Sequence, residues 1–235
     1  MPNKFFDKIY CINLLSRTDR WEKIQKEFIK VRLKNIIRFN AIIANENNYC
    51  KKISKSETGA LMSHLQILKE AKNTNLSSVL IFEDDVEFDK NFPLEFPKYI
   101  TQLPENWDML YLGANHLKEP QLLKKNILKI NESVTTHAYA VNSSVFDVLI
   151  NGLETSNVPV DVFYSQIQKN FKCYCFYPHL AWQRTDYSDI QNSNVNYDFI
   201  KNYRLPLKPH HLLKRPCDAI GRIAEKFNRL CQRFF

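Results

Sequence analysis

Val79-Leu80-Ile81-Phe82-Glu83-Asp84-Asp85 is an uninterrupted apolar run that ends in three consecutive carboxylates. Four apolar residues without alternation read as a strand covered on both faces, and such strands belong to open α/β sheets that gather their ligands where the strands end. Like charges this close repel by several kcal/mol at an intermediate dielectric. A divalent cation with oxygen ligands resolves that repulsion, and the spacing is compatible with a metal-bound diphosphate. A solvated acidic turn is the plainer alternative.

The rest of the chain alternates strand and helix patterns, as an α/β sheet requires. Ile9 to Leu14 reads as a strand and Arg17 to Leu33 as a helix, with Trp21, Ile24, Phe28 and Val31 at helical spacing. Ile36 to Ile43 is a second strand. Ser54 and Glu57 form a capping box that opens a helix to about Lys72. A Pro-punctuated segment from Phe92 to Pro104 precedes another buried strand, Trp107 to Gly113. Lys118 to Asn131 reads as a loop with a short hairpin, Thr136 to Val141 as a strand, and Ser143 to Gly152 as a helix ended by its glycine. Pro159 stands at a helix start, with Asp161 in the first turn where the helix dipole favours a carboxylate. Phe171 to Tyr177 returns as a strand.

With 235 residues and 44% hydrophobic content, the chain can bury one large α/β core or two small ones. Its four glycines form no Gly-rich phosphate loop. The net charge of +8 is unevenly spread: the last 28 residues carry seven basic and two acidic side chains, which leaves the body at about +3. That distribution argues against a broad basic face and a nucleic-acid partner. No run approaches the roughly 18 apolar residues of a membrane span, and Met1 to Asp7 lacks the apolar stretch of a secretory signal. The six scattered cysteines read as reduced thiols of a cytoplasmic protein, with Cys173 and Cys175 sharing one strand face as buried packing.

Five blocks, in order, resemble glycosyltransferase family 25, which contains bacterial lipooligosaccharide galactosyltransferases and collagen galactosyltransferases. They are Ile12-Asn13-Leu14 with Arg17, Asp19 and Arg20; Glu57 to His64; Leu80 to Asp85; Trp107 to Gly113; and Pro159-Val160-Asp161 followed by Gln183 and Ser188-Asp189-Ile190. The resemblance implies an A-type glycosyltransferase fold (GT-A), a Rossmann-like open sheet, over residues 1–205. It implies a UDP-sugar donor bound near Asn13, Arg17, Arg20, Glu57, His64, Asp84 and Gln183, with Glu83-Asp84-Asp85 as the acidic metal and donor motif. Leu15 stands where the family usually has Asp, and Ala60 where it usually has Cys. These departures bear on donor contacts and leave the catalytic assignment in place.

Breaking an anomeric C–O bond releases a nucleoside diphosphate whose charge a divalent cation, Mn2+ or Mg2+, stabilises as a Lewis acid. Glu83 and Asp85 are two apart and point the same way along an extended chain, so they share the ion or divide metal and ribose duties. Asp84 then faces a helix amide or a basic group. An inverting reaction needs a base for the acceptor hydroxyl, and Asp161 is the first candidate, with Asp186 and Asp189 as competitors; Asp161 as a simple helix cap is the alternative. Arg17 and Arg20 follow the first strand, where a guanidinium reaches phosphate or stays on the surface. His64 is either a core histidine or a donor contact, and Trp182 either packs or stacks on a sugar.

From Ile220 to Phe234 apolar residues step by three and four, while Arg222, Lys226, Arg229 and Arg233 take the other face. This basic amphipathic tail, residues 206–235, suits an anionic membrane carrying a lipid-linked glycan acceptor, or packs back on protein. The expectation is therefore an inverting, metal-dependent hexosyltransferase using UDP-galactose, cytoplasmic and peripheral on the inner face of the membrane. A metal-dependent phosphohydrolase or nucleotidyltransferase and a non-catalytic sugar-nucleotide-binding module are the alternatives.

Overall fold

The computed structural model describes residues 2–46, 50–188 and 193–205. Asp189 and the basic tail lie outside the described residues. The first half runs β1 (Lys8–Asn13), α1 (Thr18–Lys30), β2 (Ile36–Asn40), α2 (Lys55–Asn73), β3 (Ser78–Glu83), β4 (Val86–Phe88) and α3 (Phe92–Ile100). The second half runs β5 (Met109–Tyr111), β6 (Asn115–His116), β7 (Gln121–Lys124), β8 (Ile127–Lys129), β9 (Ser133–Val134), β10 (Ala138–Asn142), α4 (Phe146–Thr155), α5 (Val160–Ile167), β11 (Cys173–Phe176), β12 (Ala181–Gln183), β13 (Asp186–Ser188), β14 (Ser193–Val195) and α6 (Asp198–Lys201).

Eight strands form the main sheet in the order β2-β1-β3-β10-β5-β11-β8-β7. β1 pairs in parallel with β2 and β3, and β5 with β11, while β10 runs antiparallel between β3 and β5. The result is the open α/β sheet that the alternating sequence pattern predicts. The hairpin of β7 and β8 joins the far edge through β11.

β3 shows why the sequence folds this way. Successive side chains of a strand point to opposite faces, so Leu80 and Phe82 enter one core and Val79 and Ile81 the other. The first core is closed by Ile24 and Phe28 of α1 and by Phe92, Phe96 and Tyr99 of α3. The second is closed by Leu61, Ile67 and Leu68 of α2, by Leu149 and Leu153 of α4, and by Tyr164 of α5. Cys173 and Cys175 both enter the second core as buried free thiols, as their spacing predicts. The helices thus cover both faces of the sheet and leave its strand ends to shape a cleft.

Two local expectations are corrected. The Pro-punctuated segment begins with α3: Pro93 sits in the first turn, where a missing N–H costs nothing, and Phe92, Phe96 and Tyr99 recur at i, i+4 and i+7 against the core. Gly152 does not end its helix. α4 starts after a short 3-10 turn and runs on to Thr155, and a Cβ at Gly152 would collide with the ring of Phe163, so the glycine serves close helix packing. The capping box forms as expected: Ser54 Oγ accepts from the Glu57 N–H and Glu57 Oε2 accepts from the Ser54 N–H.

Candidate active site

The C-terminal ends of β1 and β3, the start of β10 and the N-termini of α2 and α5 enclose a cleft of about 1020 Å³. Asn13, Arg20, Glu57, His64, Glu83, Asp84, Asp85, Asp161 and Gln183 all line it. Arg17 points elsewhere: its Nε and Nη2 each lie 2.9 Å from the carboxylate of Asp19 on the exposed side of α1. Asp186 is the first residue of β13, a short way along the chain from Gln183.

Each carboxylate of the acidic triplet has its own surroundings. Asp84 is buried, with Oδ1 2.8 Å from Arg20 Nη1 and Oδ2 2.6 Å from Asn13 Nδ2. Asn13 in turn accepts from Arg38 Nε at 3.0 Å, and the Arg38 guanidinium rests 4.7 Å from the Trp21 ring centroid. Burial pushes Asp84 above the usual carboxylate range against the pull of Arg20 and Asn13. The turn that carries it is fixed by Arg184, whose N–H donates to the Asp85 carbonyl at 2.7 Å.

Glu83 closes β3 and accepts from Thr136 Oγ1 at 2.6 Å. His64 Nε2 stands 3.5 Å from the same oxygen, while His64 Nδ1 meets the Tyr139 hydroxyl at 2.8 Å and Tyr139 meets Tyr164 at 3.3 Å. Burial raises the Glu83 pKa, but His64 and Thr136 outweigh it and hold the group below its ordinary value. Asp85 has the opposite balance. Burial, with the charges of Glu83 and Asp84, pushes its pKa up to about 7. Its Oδ2 accepts from Gln183 Nε2 at 3.4 Å, whereas Oδ1 is buried with no hydrogen-bond partner among the described residues. An orphaned carboxylate oxygen beside a second carboxylate is a donor set that fits a hard divalent cation.

Asp161 sits in the first turn of α5, after Pro159. Its Oδ1 accepts from the Val162 N–H at 2.8 Å and its Oδ2 from the Thr135 N–H at 3.3 Å. Burial raises its pKa, the Thr135 N–H opposes the rise, and the charge of Glu83 adds to it.

Thr135 and Thr136 are functional candidates that sequence reasoning missed. Thr135 has φ of 78°, a left-handed conformation that a β-branched residue adopts only under constraint, and its buried Oγ1 has no partner among the described residues. The available signal was the polar Thr135-Thr136-His137 run at the head of a buried strand. Because β10 is antiparallel to β3, that run must meet the acidic end of β3, and the Glu83 N–H indeed donates to the His137 carbonyl at 3.0 Å.

The profile of the family described as "Glycosyltransferase family 25 (LPS biosynthesis protein)" matches residues 6–164. Procollagen galactosyltransferase 2 of Mus musculus is 25% identical over 190 residues, covering 69% of this chain and 30% of the relative. The procollagen lysyl hydroxylase and glycosyltransferase of Acanthamoeba polyphaga mimivirus is 27% identical over 186 residues, covering 66% and 21%. The chain thus spans less than a third of the length of these relatives. Among solved structures, A197 from STIV aligns over 76% of this chain and 86% of its own, with 12% identity and a TM-score of 0.45.

Proposed function

The chain belongs to glycosyltransferase family 25, and from that premise and the cleft we propose that it is an inverting, metal-dependent transferase. In this reading it moves a hexose, galactose, from a UDP-sugar to a glycan acceptor. The observation that supports it most is the convergence in one cleft of the strand-end carboxylates Glu83 and Asp85 with Asp161 at the start of α5.

Glu83 and Asp85 would hold a manganese or magnesium ion, which when bound supplies Lewis-acid stabilisation to a departing diphosphate. Asp84 plays a different part. Arg20 and Asn13 engage both its oxygens, so it anchors the acidic turn to β1 and α1. Thr136 and His64 orient Glu83 from the wall of the cleft, with Tyr139 and Tyr164 behind them. Asp161 takes the proton of the acceptor hydroxyl as that oxygen bonds to the anomeric carbon. Its raised pKa makes it a stronger base than an exposed aspartate, and the Thr135 N–H keeps the carboxylate in place. Arg20, fixed on Asp84, contributes positive potential on the donor side of the cleft.

The test is release of UDP from UDP-galactose by the wild type and by Asp85→Asn, with and without a glycan acceptor and manganese. Asp85→Asn should lose at least 10²-fold in turnover, about 3 kcal/mol of transition-state stabilisation, and keep its circular dichroism spectrum. Near wild-type turnover that still requires metal would overturn the metal assignment. Donor hydrolysis by the wild type without acceptor would exclude a module that only binds.

The acceptor we assign is a lipid-linked glycan, supported by the basic amphipathic pattern of the tail. The described residues contain no helix long and apolar enough to cross a membrane. Deleting residues from Arg215 onward should weaken co-sedimentation with anionic vesicles, increasingly so as salt is lowered, and leave transfer to a soluble acceptor unchanged. Equal pelleting of the two forms would place the tail on protein instead.

A further inference from the structure

Outside the cleft, three potential metal ligands meet in the interior, two of them four residues apart and the third about 60 residues earlier in the chain. His116 on β6, Cys175 on β11 and His179 in the connection to β12 are 6%, 0% and 4% exposed. Their ligand atoms all lie within 4.8 Å of one another. None of the three lines the cleft.

The hydrogen bonds around the two imidazoles define what their inner nitrogens can do. His179 Nδ1 is 2.9 Å from the carbonyl oxygen of Ile200. A carbonyl only accepts, so this nitrogen carries the proton and Nε2 of the neutral ring presents a lone pair. His116 Nδ1 is held 2.7 Å from Ser133 Oγ, and its Nε2 faces His179 Nε2 at 3.2 Å. With Zn–N bonds of about 2.0–2.1 Å, two nitrogens on a tetrahedral zinc stand about 3.3 Å apart. The outer nitrogens are already tied to a carbonyl and a hydroxyl, which is how the outer nitrogen of a metal-bound histidine is ordinarily held.

The surrounding wall offers a further polar group. The ring of Tyr203 stacks on His179 with centroids 5.1 Å apart and 7° between planes, and meets His116 at 4.7 Å. Its buried hydroxyl has no hydrogen-bond partner among the described residues.

We propose that His116 Nε2, His179 Nε2 and Cys175 Sγ form a buried zinc site that is separate from the catalytic cleft. Two imidazoles and one thiolate are a ligand set that zinc favours over magnesium or manganese. On binding, the Cys175 thiol gives up its proton and Sγ closes on the ion. The ion would join β6, β11 and, through the His179–Ile200 hydrogen bond, α6, whose neighbour Tyr197 lines the cleft. The site would therefore fasten the last described segment to the main sheet.

The test is titration of the full chain, stripped with a chelator, first with Co2+ and then with Zn2+. Cobalt should produce tetrahedral ligand-field bands and a near-ultraviolet thiolate-to-cobalt band, which the carboxylates of the cleft cannot give. One equivalent of zinc should remove both. Cys175→Ser should abolish the thiolate band, and Cys173→Ser, a buried thiol on the same strand face, should retain it. Absence of the band in the folded wild type, or its persistence in Cys175→Ser, would overturn the site and leave a proton shared between the two histidines. If Cys175→Ser fails to fold, X-ray absorption of the zinc-loaded wild type decides: two nitrogens and one sulfur support the site, and an all-oxygen shell overturns it.

Discussion

Arg20 Nη1 lies 2.8 Å from Asp84 Oδ1, with the two side chains only 9% and 10% exposed, so the middle carboxylate of the acidic triplet is consumed by a buried ion pair. Removing one partner of such a pair leaves an uncompensated buried charge. Arg20→Leu should therefore lower the unfolding free energy by about 3 kcal/mol, read from denaturant midpoints, and Arg20→Leu with Asp84→Asn should recover most of that loss. Additive losses in the double variant would show that the pair is not coupled.

Asp161→Asn separates a base from a helix cap. The amide keeps the size of the side chain and retains an oxygen for the shorter bond, from the Val162 N–H, and gives up only the longer one from Thr135. Donor affinity should stay within a few-fold while turnover falls by about 10²-fold or more, because a base acts only in the transition state. A lowered melting temperature with unchanged turnover per folded molecule would mean that Asp161 only caps α5.

Thr135→Gly tests the strained backbone. At φ of 78° a Cβ costs roughly 1–2 kcal/mol, and the added chain entropy of glycine offsets about half of the relief. The melting temperature should stay level or rise, while loss of the buried Oγ1 lowers transfer by about tenfold, the value of one hydrogen bond to a ligand. A stable variant with full activity would show that the hydroxyl does not touch substrate.

His137 gives the fold an acid limit. Burial lowers its pKa from 6.5 to about 4, against the charge of Glu83 and the hydrogen bond to the Ala181 carbonyl. Between those values the unfolded chain binds a proton that the native chain refuses, so stability is full above pH 6.5 and falls as pH drops toward 4. The loss is on the order of 3 kcal/mol, and His116 and His179, also lowered by burial, tilt stability the same way. His137→Gln should flatten the acid limb of a plot of melting temperature against pH; an unchanged limb would show that His137 is protonated in the native state.

The parts of the fold legible in the sequence are those determined by neighbouring residues. The capping box of Ser54 and Glu57, the apolar run of β3 and the period of α1 need no distant partner. Gly152 misleads because a helix-ending glycine and one that admits Phe163 look the same until α5 is placed beside α4. Proline punctuation conceals α3, whose Phe92, Phe96 and Tyr99 follow the core rather than local propensity.

The site follows the same division. Its carboxylates can be named from the chain, but their partners cannot: Arg20 meets Asp84 across 64 residues, and Thr136 meets Glu83 across 53. Thr135 is hidden for a different reason. Left-handed backbone is uncommon for a β-branched residue, so no propensity argument would place it there.

β3 is hydrogen-bonded on both sides, by β1 and by β10, and its first five residues are buried. Its backbone amides can exchange with deuterated water only when the whole sheet opens, whereas those of the exposed edge strand β7 exchange by fraying. Glu83 is the last residue of that protected strand and Asp85 follows two positions later. Their separation is thus carried by the segment least able to open on its own, and thermal inactivation should proceed at the exchange rate of Leu80 and Ile81.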